Sequence, residues 1–256
     1  MVLVAMVYAN NFLNVRMAEN EFSTNKQFML TTGLQIDDIA WTLGRTQTVR
    51  YSTRFAQVKF EPLVLEYSVE INTGSGLAPL SNDTFQTGII LFNMPTTAYT
   101  LSDDYYERIF PSSNSSFLQE NATAPVSHVY VIEKVPMENG NFTRVTAVPT
   151  VRMLKSTIGT QNYVKFYMPL LEGGTNLHLS QSITLTGKNV TQYVRSSVTQ
   201  VRFTVHFLQP LQGFDSDFFP FDYDDVDNYT ETVDLLPGSV VEFYIGTVAV
   251  SMGLYV

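Results

Sequence analysis

The sequence predicts a mainly β protein in which a long N-terminal α-helix is followed by an antiparallel β-sandwich. Three observations predict it. Apolar residues recur at helical spacing up to Leu43 and stop at Gly44. Beyond Gly44 the period becomes two, with the apolar–polar alternation of half-buried strands. About ten such segments are separated by turn signals, which favours a sandwich over a helical or doubly wound fold. The division falls at residues 1–44 for the helix and 45–256 for the β domain. The latter, of about 210 residues, is long enough to bury a full core.

Within the helix, Met1 to Ala9 is apolar throughout and then meets Asn10 and Asn11. A membrane span needs about 20 apolar residues, so this run alone is too short. It also lacks the basic region and cleavage site of a signal peptide. Two readings stay open: the outer end of a longer transmembrane helix, or the start of a buried one. Phe12, Leu13 and Met17 follow at helical spacing, then Met29, Leu30, Gly33 and Leu34, then Ile36, Ile39, Ala40 and Leu43. Arg16, Glu19, Glu21, Lys26, Asp37 and Asp38 are expected to face solvent. Unbroken, Leu3 to Leu43 would span about 60 Å; alternatively Ser23, Thr24 and Asn25 cap a second helix and leave a kink. Trp41, the only tryptophan, is read as a packing anchor rather than a membrane-interface ring.

In the β domain, Thr48–Tyr51, Ala56–Phe60 and Val64–Ile71 read as strands, the last alternating cleanly. Gly88–Met94 (GIILFNM) is a continuous apolar run, as in a strand buried on both faces. Asp103 to Tyr106 read as one helical turn, and residues 111–116 as an exposed loop. Further strands are expected at Ser127–Val135, Phe142–Val151, Tyr163–Leu170, Ser182–Thr186, Val198–Leu208 and Ser239–Val256. In the last, Val248, Val250, Met252, Leu254 and Val256 share one face.

Composition excludes several functions. The net charge of −9 repels phosphate backbones, and Arg45, Arg50, Arg54 and Lys59 are too sparse to offset it, so nucleic-acid binding is not expected. With no cysteine there are no disulfides, thiolate metal sites or cysteine catalysis. His128, His178 and His206 lack metal-ligand spacing, and no nucleophile elbow, phosphate loop or dinucleotide fingerprint occurs. Asp103, Asp104 and Glu107 include the raw material of a carboxylate pair, but one short acidic stretch is read as solvated. The chain is therefore expected to be no enzyme.

Two motifs point elsewhere. The acceptor N-x-[ST] occurs at Asn82, Asn114, Asn121, Asn141, Asn189 and Asn228, all in the β domain, where chance gives about three. Surface N-glycosylation on an extracellular face is the reading. The stretch Asp222, Asp224, Asp225 and Asp227 offers oxygen ligands for calcium, although Val226 stands at the fifth loop position and the turn glycine is missing.

The stretches Met17–Phe22 (MAENEF), Gln35–Thr48 (QIDDIAWTLGRTQT), Tyr106–Ser113 (YERIFPSS) and Val240–Gly246 (VVEFYIG) together resemble a family of archaeal surface proteins. In architecture the chain is similar to membrane-anchored proteins of the type IV pilin and archaellin kind. That resemblance implies a helix-anchored headpiece on the outer face of the cell envelope, structural or adhesive, with the membrane and a homo-oligomer or filament as partners. It implies no catalytic residue. Asn10, Asn11, Asn14 and Arg16 interrupt the long apolar helix that assembling pilins bring. The competing readings are a filament subunit, whose apolar C-terminal strand would add to a neighbour, and a secreted carbohydrate-binding or hydrolytic sandwich using Tyr99, Tyr105 and Tyr106.

Overall fold

A computed structural model describes residues 2–81, 84–102, 105–112, 117–120, 125–137, 140–175, 181–219 and 229–253. One helix, α1 (Val2–Ala40), precedes twelve strands. They are β1 (Thr46–Arg50), β2 (Gln57–Asn72), β3 (Leu77–Pro79), β4 (Phe85–Pro95), β5 (Tyr106–Phe110) and β6 (Leu118–Glu120), then β7 (Ser127–Met137), β8 (Gly140–Pro149), β9 (Val151–Ile158), β10 (Gln161–Gly173), β11 (Ser182–Phe207) and β12 (Tyr229–Met252). The predicted helix-plus-sandwich architecture is present.

The strands join in the order β5-β7-β8-β4-β2-β11-β12-β10-β9-β6, with β1 on β11 and β3 on β2. Pairings are antiparallel except β10 with β12 and β6 with β9. β11 and β12 carry the path from one half of the sandwich to the other. Ser182–Thr186 of β11 pairs with β1, and Gln200–Phe207 pairs with β2. Register shifts near Gly187, Val198 and Gln200 bend the ribbon between these segments, as bulges do.

Two apolar cores result. The inner one lies between the halves of the sheet and includes Leu65, Leu91, Tyr130, Phe166, Phe203 and Phe243. The outer one lies under the helix and includes Phe22, Met29, Ile36, Phe92, Val145 and Val248. β4 separates them: Ile89 and Leu91 belong to the inner core, Ile90, Phe92 and Met94 to the outer. Burial on both faces explains its unbroken apolar run.

The helix has no kink at Ser23. Ala18, Phe22, Asn25, Met29, Thr32, Ile36 and Ile39 are all buried, and their three-and-four spacing keeps one stripe on the sheet. Asn25 does not cap a second helix; its Nδ2 donates to the Ser52 carbonyl at 3.0 Å. Leu34 and Leu43, expected in the packed stripe, are exposed, Leu43 because the helix has ended at Ala40. Gly44, with φ of 75°, takes the left-handed conformation expected of a stop.

Three other expectations change. The segments Ala56–Phe60 and Val64–Ile71 belong to one strand, bulged where Leu63 takes φ of 54°. Ser182–Thr186 and Val198–Leu208 are likewise ends of β11. Tyr106 opens β5 rather than closing a helical turn, and Asp103 and Asp104 lie outside the described residues.

Candidate functional site

The helix divides into two halves of opposite character. From Ala18 onward it is fastened to the sheet by polar contacts as well as apolar ones. The Glu21 carboxylate accepts backbone N–H groups from Arg54 at 2.9 Å, Phe55 at 3.1 Å and Ala56 at 3.0 Å. Lys26 Nζ lies 2.6 and 2.7 Å from the two oxygens of Glu107 on β5. Ser127 Oγ donates to the Gly33 carbonyl at 2.7 Å, and Arg152 reaches Asp37 at 3.4 Å. Glu21, Lys26 and Asp37, expected in solvent, are thus docking groups; no periodicity distinguishes such a carboxylate from a solvated one.

The last turn sits directly on two strand glycines. A Cβ on Gly187 would collide with the Thr42 carbonyl oxygen, and one on Gly246 with that of Ala40. Gly44 N–H donates to the Gly187 carbonyl at 2.8 Å and Gly187 N–H to that of Arg45 at 2.9 Å. Trp41 packs edge-on to Tyr167, 5.3 Å between ring centroids, and donates its Nε1–H to Asp37 at 2.9 Å. This is the packing role assigned to it from sequence.

Toward the N-terminus the pattern inverts. The helical face that carries Ala18 and Phe22 continues into Asn14 and Asn11, which border a cleft with Val15, Phe55, Thr97 and Ala98. The apolar side chains look outward instead: Met6 is 68 % exposed, Tyr8 76 %, Phe12 53 % and Leu13 58 %. Val15 and Met17 are exposed too, although Val15 borders that cleft and Met17 Sδ lies 3.7 Å from Arg54 Nη1. The only charge among residues 1–18 is Arg16, which bonds Glu19 at 2.7 Å. Exposed apolar surface clustered on one projecting element marks a contact site for something other than water. Among the described residues no helix is long and apolar enough to cross a membrane.

The other sequence candidates are not gathered there. Asn141 and Asn189 are exposed, on β8 and β11, and Asn189 Nδ2 donates to Thr191 Oγ1 of its own motif at 3.1 Å. Asn82, Asn114, Asn121 and Asn228 lie outside the described residues, as do Asp222, Asp224, Asp225 and Asp227 of the calcium reading and His178. Among the described residues no three His, Asp or Glu side chains group to hold a metal. Asp234 accepts from Gln200 at 2.7 Å and Asp215 from the N–H of Phe218 at 3.2 Å. Glu107 is held by Lys26 and by Tyr105 Oη at 3.0 Å. Tyr99 packs tilted against Phe22 at 4.9 Å and Tyr106 against Tyr130 at 5.7 Å, so these aromatics support the helix and the inner sheet face. His128 is buried, 3.1 Å from Gln119 Nε2.

Burial and hydrogen bonding strongly perturb the titrations of Arg144 and Tyr244. Burial pulls the Arg144 guanidinium down to about 10, with its charge over the Phe142 ring at 4.9 Å. The Tyr244 hydroxyl, hydrogen-bonded to Glu242 at 2.5 Å, is pushed up to about 12 by that bond first and by burial second. Of the four basic residues weighed from sequence, Arg45 pairs with Asp38 at 2.8 Å and Lys59 with Glu61 at 3.4 Å.

No family model, curated protein or solved structure matches the chain.

Proposed function

We propose that this chain is a non-catalytic cell-surface protein whose projecting half-helix holds a structural or adhesive β headpiece to a membrane. One observation carries the reading. Met6, Tyr8, Phe12, Leu13, Val15 and Met17, in a helical half with no carboxylate before Glu19, are exposed, while the other half is fastened to a large folded domain. Residues 2–17 extend about 24 Å at 1.5 Å per residue, enough to enter the acyl region of one leaflet. Tyr8 and Phe12 suit its boundary, and Asn10, Asn11, Asn14 and Arg16 suit the headgroups. The exposed sequons Asn141 and Asn189 support an outward-facing, glycosylated domain. Fractionation of cells making the full-length gene product tests this: recovery with the membranes is expected, and recovery in the soluble fraction would overturn it.

A filament subunit is the second reading, and a distinct observation favours it. Met6, Ala9, Leu13 and Met17 are all exposed at spacings of three and four, the spacing at which helices interlock. The helix would carry such assembly. Val240–Val250 of β12 is paired on both edges, with β10 and with β11, and so offers no strand to a neighbour. Electron microscopy of sheared cell surfaces separates the two readings.

A further inference from the structure

We infer that the open edge of β2 is a pairing surface for a second copy of this chain. Gln57–Glu61 pairs with β4 along one edge, Gln57 opposite Asn93 and Glu61 opposite Ile89. β2 reaches β11 only from Leu65 onward, beyond the bulge at Leu63. Among the described residues no strand lies on the other edge of Gln57–Glu61. Alternate residues of this run therefore turn their N–H and C=O groups away from β4. They turn them into an open groove of about 560 Å³, bordered by all five residues together with Tyr51, Gln181 and Met252. Such an edge is a template for another strand.

Charge selects the occupant. Lys59 and Glu61 lie on one face of the strand, 3.4 Å apart. When two copies pair antiparallel about a two-fold axis at Phe60, Lys59 of each stands opposite Glu61 of the other. The intrastrand pairs then join into an alternating cluster of four charges. Registers centred on Lys59 or on Glu61 set like charges opposite, which is unfavourable, so a single register is picked out. Among the described residues the other edges offer no equivalent. β1 carries Arg50 as its only charge, β3 and β6 have three residues each, and on β5 the adjacent Glu107 and Arg108 fall on opposite faces. The contact is isologous and closes as a dimer. It is independent of the helix and of the membrane reading.

The absence of cysteine makes the test clean. Full-length Lys59→Cys and Glu61→Cys chains with different tags are mixed in detergent micelles, which cover the helix, and then oxidised. The inferred register predicts a disulfide-linked heterodimer, because directly opposite Cα atoms lie about 5 Å apart. Lys59→Cys alone should link poorly, since its two copies are then about 8 Å apart and beyond disulfide reach. In parallel, Lys59→Glu should weaken the dimer about tenfold or more, and the Lys59→Glu/Glu61→Lys exchange should restore it with an unchanged melting temperature. A wild-type chain that stays monomeric at every concentration, equal linkage of all cysteine combinations, or an exchange that fails to restore pairing would each overturn the inference.

Discussion

Glu21 on the helix accepts the backbone N–H of Ala56 at 3.0 Å, on the connection between the first two strands of the domain. With Arg54 and Phe55 donating to the same carboxylate, three backbone donors that have left β1 and not yet entered β2 find an acceptor. Glu21→Ala leaves them without it, Ala56 being buried. Hydrogen bonds to a charged group contribute about 1.5–3 kcal/mol each when buried and less where water competes. A loss of about 2 kcal/mol is expected for the whole set. Urea unfolding checks the magnitude, and faster amide exchange at residues 54–56 checks the location. Unchanged exchange there would remove the assignment.

Lys26 and Glu107 tie the helix to β5, and both are partly shielded from solvent. A double-mutant cycle with Lys26→Met and Glu107→Gln should give a coupling of about 0.5–1 kcal/mol, falling as salt is raised. A coupling near zero at low salt would make the pair incidental.

Gly187 and Gly246 set how closely the helix terminus approaches the sheet. Ala at either position forces a backbone carbonyl aside, at a cost of about 1–3 kcal/mol. Gly173→Ala is the control, because its Cβ would meet Phe60 at an ordinary 3.9 Å. Melting temperatures should fall by several degrees for the first two variants and hardly move for the third.

Tyr244 gives a pH signature. Its hydroxyl holds its proton up to about 12 in the folded chain, against 10.0 for an unperturbed tyrosine. The unfolded chain thus loses the proton first. The stability contributed by this group is fully present below pH 10 and is lost as pH rises through about 12. Tyr244→Phe should flatten that part of the stability profile, followed by urea unfolding across the alkaline range. An identical profile in the variant would show that another group governs it.

Much of this fold is legible in the sequence, and the reasons it fails in places are physical. The GIILFNM run of β4 announces burial on two faces because both cores need apolar side chains there. β2 reads as two strands because Pro62 breaks the run next to Leu63, at a bulge that the ladder then bridges. The middle of β11, from Lys188 to Ser197, carries little apolar alternation because much of it faces solvent while its backbone still pairs with β12. On the helix, Phe12 and Leu13 look like more of the packed stripe, and only the position of the sheet shows that they are left exposed. Glu21 is indistinguishable in sequence from Glu19, since its partners are main-chain groups that any residue supplies. The open edge of β2 is similarly invisible, because a strand's neighbours are set by topology and not by its own residues.

The central claim is that the apolar surface exposed by Met6, Tyr8, Phe12, Leu13, Val15 and Met17 belongs in a bilayer. Flotation of the purified full-length chain with lipid vesicles tests it most directly, alongside a Met6→Glu/Leu13→Glu variant whose folded domain is verified by its melting temperature. The account predicts that the wild-type chain rises with the vesicles and that the variant stays at the bottom of the gradient. Wild-type chain left at the bottom, or a variant that floats equally well, would contradict it.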